Sequence, residues 1–99
     1  MKQKTLELDC SQPLARQLAR AVRAYAEAAF PPGGSECTQV SRQTLVESAV
    51  AIAEHGGGSL RIRKRQVVQL RAAVRWYFRE IAPDEAAHGD TLLAILAKR

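Results

Sequence analysis

Trp76-Tyr77-Phe78 is a run of three aromatics inside a stretch otherwise patterned as a helix. Consecutive helical residues point about 100° apart, so the three cannot share one face. Tyr77 and Phe78 fall with Val67, Leu70, Val74 and Ile81 on one apolar seam. Trp76 projects about 150° from the centre of that seam, with Gln69, Ala72, Ala73 and Glu80 as its helical neighbours. Alanines beside an indole make a shallow groove-and-knob surface, and Arg75 and Arg79 flank it. Tryptophan and arginine are enriched at binding hot spots. An arginine there can stack on the ring or reach a partner's carboxylates. These residues point to recognition of another protein through Trp76, Arg75, Arg79, Ala72 and Gln69. The bland alternative is that other helices wrap the indole into a second core face.

A second constellation is cationic. Arg61-Ile62-Arg63-Lys64-Arg65 is followed by Arg71, Arg75 and Arg79 at helical spacing, with Glu80 the one acid between 59 and 82. The net charge of +5 over 99 residues is therefore concentrated in one segment. As a functional feature, Arg61, Arg63, Lys64, Arg65 and Arg71 would track phosphates. As a structural feature they are a solvated helix face, partly neutralised by Glu7 and Asp9. A strand at 5–9, a helix at 12–30 and a helix opening with Val40-Ser41-Arg42-Gln43-Thr44-Leu45-Val46 also resemble a ribbon-helix-helix repressor. In that fold the exposed ribbon residues enter the major groove. Here they would be Thr5, Glu7 and Asp9, and two carboxylates facing a duplex are repelled by phosphate. The first helix and its following loop are also long for that compact motif. A small basic DNA-binding regulator is thus the second reading.

Catalytic chemistry has little to stand on. His55 ends a helix before three glycines, where an imidazole meets the C-terminal dipole, and His88 falls in an expected loop. Neither has a cysteine, carboxylate or histidine at metal-ligand spacing. Gly56-Gly57-Gly58-Ser59 follows a helix instead of opening one, so it lacks the helix N-terminus that lets a glycine loop hold phosphate. No serine or cysteine has an identifiable base. The expectation is a non-enzymatic protein with no catalytic residue, metal or cofactor. Cys10 and Cys37 do not form a disulfide framework, and Cys10 reads as a small core residue. Met1-Lys2-Gln3-Lys4 runs into Glu7 and Asp9 with no apolar stretch. That start implies no signal peptide, no membrane span and a cytoplasmic setting with reduced thiols.

The elements that position these residues follow from periodicity. Thr5-Leu6-Glu7-Leu8-Asp9 and Ser59-Leu60-Arg61-Ile62-Arg63 both alternate polar with apolar, the period of a half-buried strand. We expect them to pair, with Leu6, Leu8, Leu60 and Ile62 on the core side and Arg61 and Arg63 facing Glu7 and Asp9. Ser11-Gln12-Pro13 starts a helix running from about residue 12 to 30. Leu14, Leu18, Ala21, Val22, Tyr25 and Ala29 share one face of it, and Arg16, Arg20, Arg23 and Glu27 stripe the other. Pro31-Pro32-Gly33-Gly34 ends it. Residues 35–40 read as a loop, with Ser41 or Thr44 capping a second helix and Thr44 and Glu47 at capping-box spacing. Leu45, Val46, Ala49, Ile52 and Ala53 form that helix's buried face, and Gly56-Gly57-Gly58 ends it. The third helix spans about 64–81 and is broken by Pro83 and Asp84. After a weak turn at 84–88, Asp90 caps a short last helix over 91–98. The fold expected is mainly α: one domain over 1–99, a small bundle of three long helices and one short one, with a two-stranded ribbon of 5–9 and 59–63. An alanine-rich core of this size often completes itself by pairing, so a homodimer is expected.

In its length, its alanine- and arginine-rich helical composition, and the stretch Leu60-Arg61-Ile62-Arg63-Lys64-Arg65-Gln66 leading into Leu70 and Trp76, the chain resembles the LasR-specific quorum-sensing antiactivator (QslA) family. The resemblance covers the chain as a whole and rests on no specific motif. It implies a homodimer that binds a LuxR-type transcription factor and blocks its dimerisation or DNA binding.

Overall fold

Two strands about half the chain apart tie its N-terminal segment to its middle. In the computed structural model, which describes residues 5–55 and 58–97, β1 (Thr5–Cys10) pairs antiparallel with β2 (Gly58–Arg63). The register sets Leu6 opposite Ile62, Glu7 opposite Arg61 and Leu8 opposite Leu60. The expected ribbon forms, with one adjustment: Asp9 faces Ser59 and Arg63 faces Thr5, so Glu7–Arg61 is the one opposite-charge pair in direct register. Ile62 turns into the core while Glu7, Asp9, Arg61 and Arg63 stay exposed. The side chains of Leu6 and Leu8, residues 56 and 57 of the glycine run, and Lys98 at the expected end of the last helix lie outside the described residues.

Helix α1 (Gln12–Ala29) starts as its sequence dictates. The Ser11 hydroxyl accepts from the Leu14 amide at 3.4 Å, and Pro13 sits in the first turn, where a missing N–H costs nothing. Leu18, Ala21 and Val22 are buried as expected, joined by Ala15, Ala19 and Ala26, whereas Ala29 is exposed. Small alanines let neighbouring helices approach this one closely.

Helix α2 (Glu36–Ala53) begins earlier than periodicity suggests. Residues 36–40 are helical, not loop, and the cap is Ser35, whose Oγ accepts from the Thr38 amide at 3.3 Å. Glu36 adds a favourable charge in the first turn. Ser41 and Thr44 therefore lie inside the helix, and Thr44 Oγ1 donates back to the Val40 carbonyl at 2.9 Å. No capping box forms there. Leu45, Ala49 and Ile52 are buried and Val46 is half-buried, but Ala53 is exposed. α2 packs chiefly on α1. Arg42 secures that contact, donating to the Phe30 carbonyl at 3.3 Å and pairing with Glu27 at 3.0 Å.

Helix α3 (Lys64–Trp76) passes without a break into a π-helical turn, Tyr77–Ile81. The Ala82 amide reaches the Tyr77 carbonyl at 2.9 Å, a bond from residue i+5 to residue i. This wider turn shifts the angular position of the residues after it. Tyr77 and Phe78 are buried with Val67, Leu70 and Val74, but Ile81, expected on the same seam, is 55% exposed. A 3₁₀ turn at Pro83–Glu85 leads into α4 (Ala86–Ala97). α4 starts about a turn earlier than Asp90 would have set it, so Asp90 is an internal helical residue and His88 lies in the helix, not in a loop. Close packing on Phe78 explains why a glycine is accepted at position 89: an added Cβ would sit 2.8 Å from Phe78 Cβ and Cγ. α4 buries Leu92 and Leu96 and packs mainly on α3. Among the described residues, the result is a mainly helical fold of four α-helices in which α1 packs on α2, α3 and α4. Among the described residues, no helix is long and apolar enough to cross a membrane.

Candidate functional site

Trp76 leaves α3 on the flank facing α1. Its ring meets Tyr25 edge-on at 6.0 Å between centroids, and Tyr25 in turn meets Phe30 at 6.3 Å. All three rings are half-buried. The indole thus has one side against the core and the other in solvent. Helical periodicity within α3 sets it apart from Val67, Leu70 and Val74, but it cannot register that α1 supplies a second wall and that the indole packs partly against the core. Ala73, beside it, is fully buried, and Gln69 and Ala72 are half-buried. Tyr25 and Phe30 are site residues that sequence reasoning missed. Tyr25 falls within the α1 apolar face and Phe30 at its C-cap, but the pattern of neither helix joins them to Trp76.

Arg75 and Arg79 occupy the other flank of α3. Both are exposed and rim a groove of about 260 Å³ against α4, floored by Val74, Phe78 and Leu93 and faced by Asp90. The aromatic ring and the two guanidinium groups are therefore brought onto one helix but not into one stack. Arg79 Nε meets the neighbouring Glu80 carboxylate at 3.3 Å instead. With both partners well exposed, that pair contributes little. The surface presents an indole toward α1 and an arginine-rimmed apolar groove toward α4, within one turn of each other along α3.

The candidate phosphate contacts are divided. Arg63, Lys64 and Arg65 are exposed at the junction of β2 and α3. Arg61 is exposed but engaged by Glu7 at 3.3 Å. Arg71 is half-buried, with its Nε enclosed and no partner for it among the described residues. A continuous cationic stripe from 61 to 79 is thus interrupted at both Arg61 and Arg71.

The remaining polar candidates are accounted for locally. His55 Nε2 lies 3.1 Å from the Gly58 carbonyl, and His88 Nδ1 lies 3.7 Å from Glu85. Among the described residues, no three His, Cys, Asp or Glu side chains converge as a metal set. Both cysteines are free thiols. Burial pushes the Cys10 thiol above its ordinary value of 9.0, which keeps it protonated, while Cys37 is exposed on the first turn of α2.

Comparison with protein-family models, with curated proteins and with solved structures finds no match to this chain.

Proposed function

We propose that this protein is a non-enzymatic, cytoplasmic regulator that works by protein–protein contact through the flanks of α3. In the form implied by its resemblance to the antiactivators, it acts as a homodimer that binds a LuxR-type transcription factor and blocks that factor's dimerisation or DNA binding. The observation that carries this reading is the half-buried Trp76, backed by Tyr25 and adjoining the exposed Arg75 and Arg79. An indole held by a ring on one side and open on the other is immobilised before it meets a partner. Less side-chain entropy is then lost on binding. Ala72 and Gln69 beside it leave room for close approach, and the arginines next to the α4 groove suit carboxylates at an interface rim. The mechanism is occlusion, in which the partner's own interaction surface is covered.

Mixing the chain with the LasR activator and an operator duplex tests this. A complex is expected by size exclusion, with release of the duplex as the chain is added. An activator that stays on DNA at saturating chain concentration would reject the proposal.

A second reading is favoured by one feature, the exposed Arg63-Lys64-Arg65 cluster. It would bind nucleic acid through phosphates, with Arg61 and Arg71 as weaker contributors. Glu7 and Asp9, exposed on the same ribbon, oppose it.

A further inference from the structure

The groove between α1 and α2 shares no lining residue with the aromatic cluster or the α3–α4 groove described above. Arg16, Arg20 and Arg23 line its α1 wall at i, i+4 and i+7, and all three are exposed. Ala49, Val50 and Ala53 form the opposing surface from α2, and the opening measures about 340 Å³. Val50 is 43% exposed there. Among the described residues, none of the three arginines makes an ion pair. Glu27, the acid on the same helical stripe, is held by Arg42 at 3.0 Å. The groove's one carboxylate is Glu54.

Three uncommitted cations spread over about 10 Å of helix, beside a floor of small apolar side chains, fit one kind of occupant. Phosphates would satisfy the arginines but would gain nothing from Ala49, Val50 and Ala53. A helix with carboxylates at i, i+4 and i+7 matches the arginine spacing on its charged side. Its adjoining apolar residue can then seat on the alanines. We propose that the α1–α2 groove binds an acidic amphipathic helix of a protein partner, with its carboxylates on Arg16, Arg20 and Arg23 and an apolar side chain on Ala49, Val50 and Ala53. This is a second contact surface, independent of Trp76.

The test is fluorescence anisotropy with a labelled synthetic helix of about four turns, with Glu at i, i+4 and i+7 and Leu beside them. The controls are a scrambled peptide of equal charge and a random DNA duplex. The designed helix is expected to bind at least about tenfold tighter than the scramble, a difference of about 1.4 kcal/mol. Two variants, both at exposed positions and checked for folding by circular dichroism, should each weaken it by a similar factor. Arg16→Gln/Arg20→Gln/Arg23→Gln removes the charges, and Ala53→Trp fills the floor while leaving the charge alone. Trp76→Ala should leave this binding unchanged. The proposal is overturned if the helix fails to bind, if the scramble binds equally, if Ala53→Trp has no effect, or if the duplex binds more tightly. Concentration-dependent self-association abolished by the arginine substitutions would also overturn it, since a second copy would then be the occupant.

Discussion

The Trp76 indole and the Tyr25 ring meet in an edge-type arrangement at 6.0 Å between centroids, with 61° between the planes. This geometry favours aromatic pairs, because the positive edge of one ring meets the negative face of the other. It fixes an otherwise mobile indole at the border between core and solvent. A pair of this kind is worth about 0.5–1.5 kcal/mol beyond its buried area. Trp76→Ala is therefore expected to remain folded while losing about 1–3 kcal/mol, read from chemical denaturation. A Tyr25→Leu/Trp76→Leu double-mutant cycle should recover the pair contribution. A loss well above about 5 kcal/mol, or failure to fold, would make Trp76 a core residue, not a contact residue.

Gly89 sets the spacing of α4 against the π turn. Alanine is the better helix former by about 1 kcal/mol, so propensity alone predicts that Gly89→Ala stabilises. The added methyl would lie 2.8 Å from Phe78 Cβ, an atom held next to the backbone. Relief would require the two segments to separate, and overpacking of this kind costs about 1–3 kcal/mol. The net expectation is destabilisation, with a lower thermal midpoint. A higher midpoint would show that the interface can shift freely.

The start of α2 can be located by two substitutions. Ser35→Ala removes the cap on the Thr38 amide and should cost about 1 kcal/mol. Thr44→Ala replaces a poor helix former at an internal position and should be neutral or stabilising by a few tenths of a kcal/mol. The reverse ranking would restore Thr44 as the cap.

The two thiols should differ in reactivity. Cys37 is exposed and should react with a thiol reagent in the native state, whereas Cys10 should require unfolding. Because burial raises the Cys10 value, the unfolded chain loses this proton at lower pH than the folded one. The contribution of Cys10 to stability is therefore complete below the ordinary value of 9.0 and declines as pH rises through and beyond it. A Cys10→Ala variant should lose that part of the alkaline decline.

How much of this was legible in the sequence depended on where local pattern and tertiary packing agree. The pairing of the two strands and their core side followed from alternation, because a one-residue slip would put Ile62 in solvent, but the register did not, since Asp9 faces Ser59 and Arg63 faces Thr5. The limits of α1 followed from Ser11, Pro13 and the proline-glycine run. The start of α2 did not, since residues 36–40 carry little apolar periodicity. The legible signal was Ser35 followed by Glu36, a cap with an acid behind it. The start of α4 was hidden because Pro83 and Gly89 both suggest a turn, and only the closeness of Phe78 explains a glycine inside a helix. The π turn over Tyr77–Ile81 carries no proline, glycine or other local signature in the sequence. A fixed 100° period carried through it placed Ile81 on the wrong face. In the candidate site, Trp76 was visible as an off-seam aromatic. Its backing by Tyr25 was not, because one helix's periodicity is silent about its neighbour.

Titrating the LasR activator with wild-type protein and with folded Trp76→Ala, at low and at high salt, separates recognition through the indole from binding through charge. Recognition through a desolvated aromatic surface predicts that the substitution weakens binding by at least about tenfold, or 1.4 kcal/mol. It also predicts that salt changes the wild-type affinity only slightly. Equal affinity of the two proteins would contradict the account. So would tight binding of a random duplex that collapses steeply as salt rises, which would assign the cationic segment to phosphate.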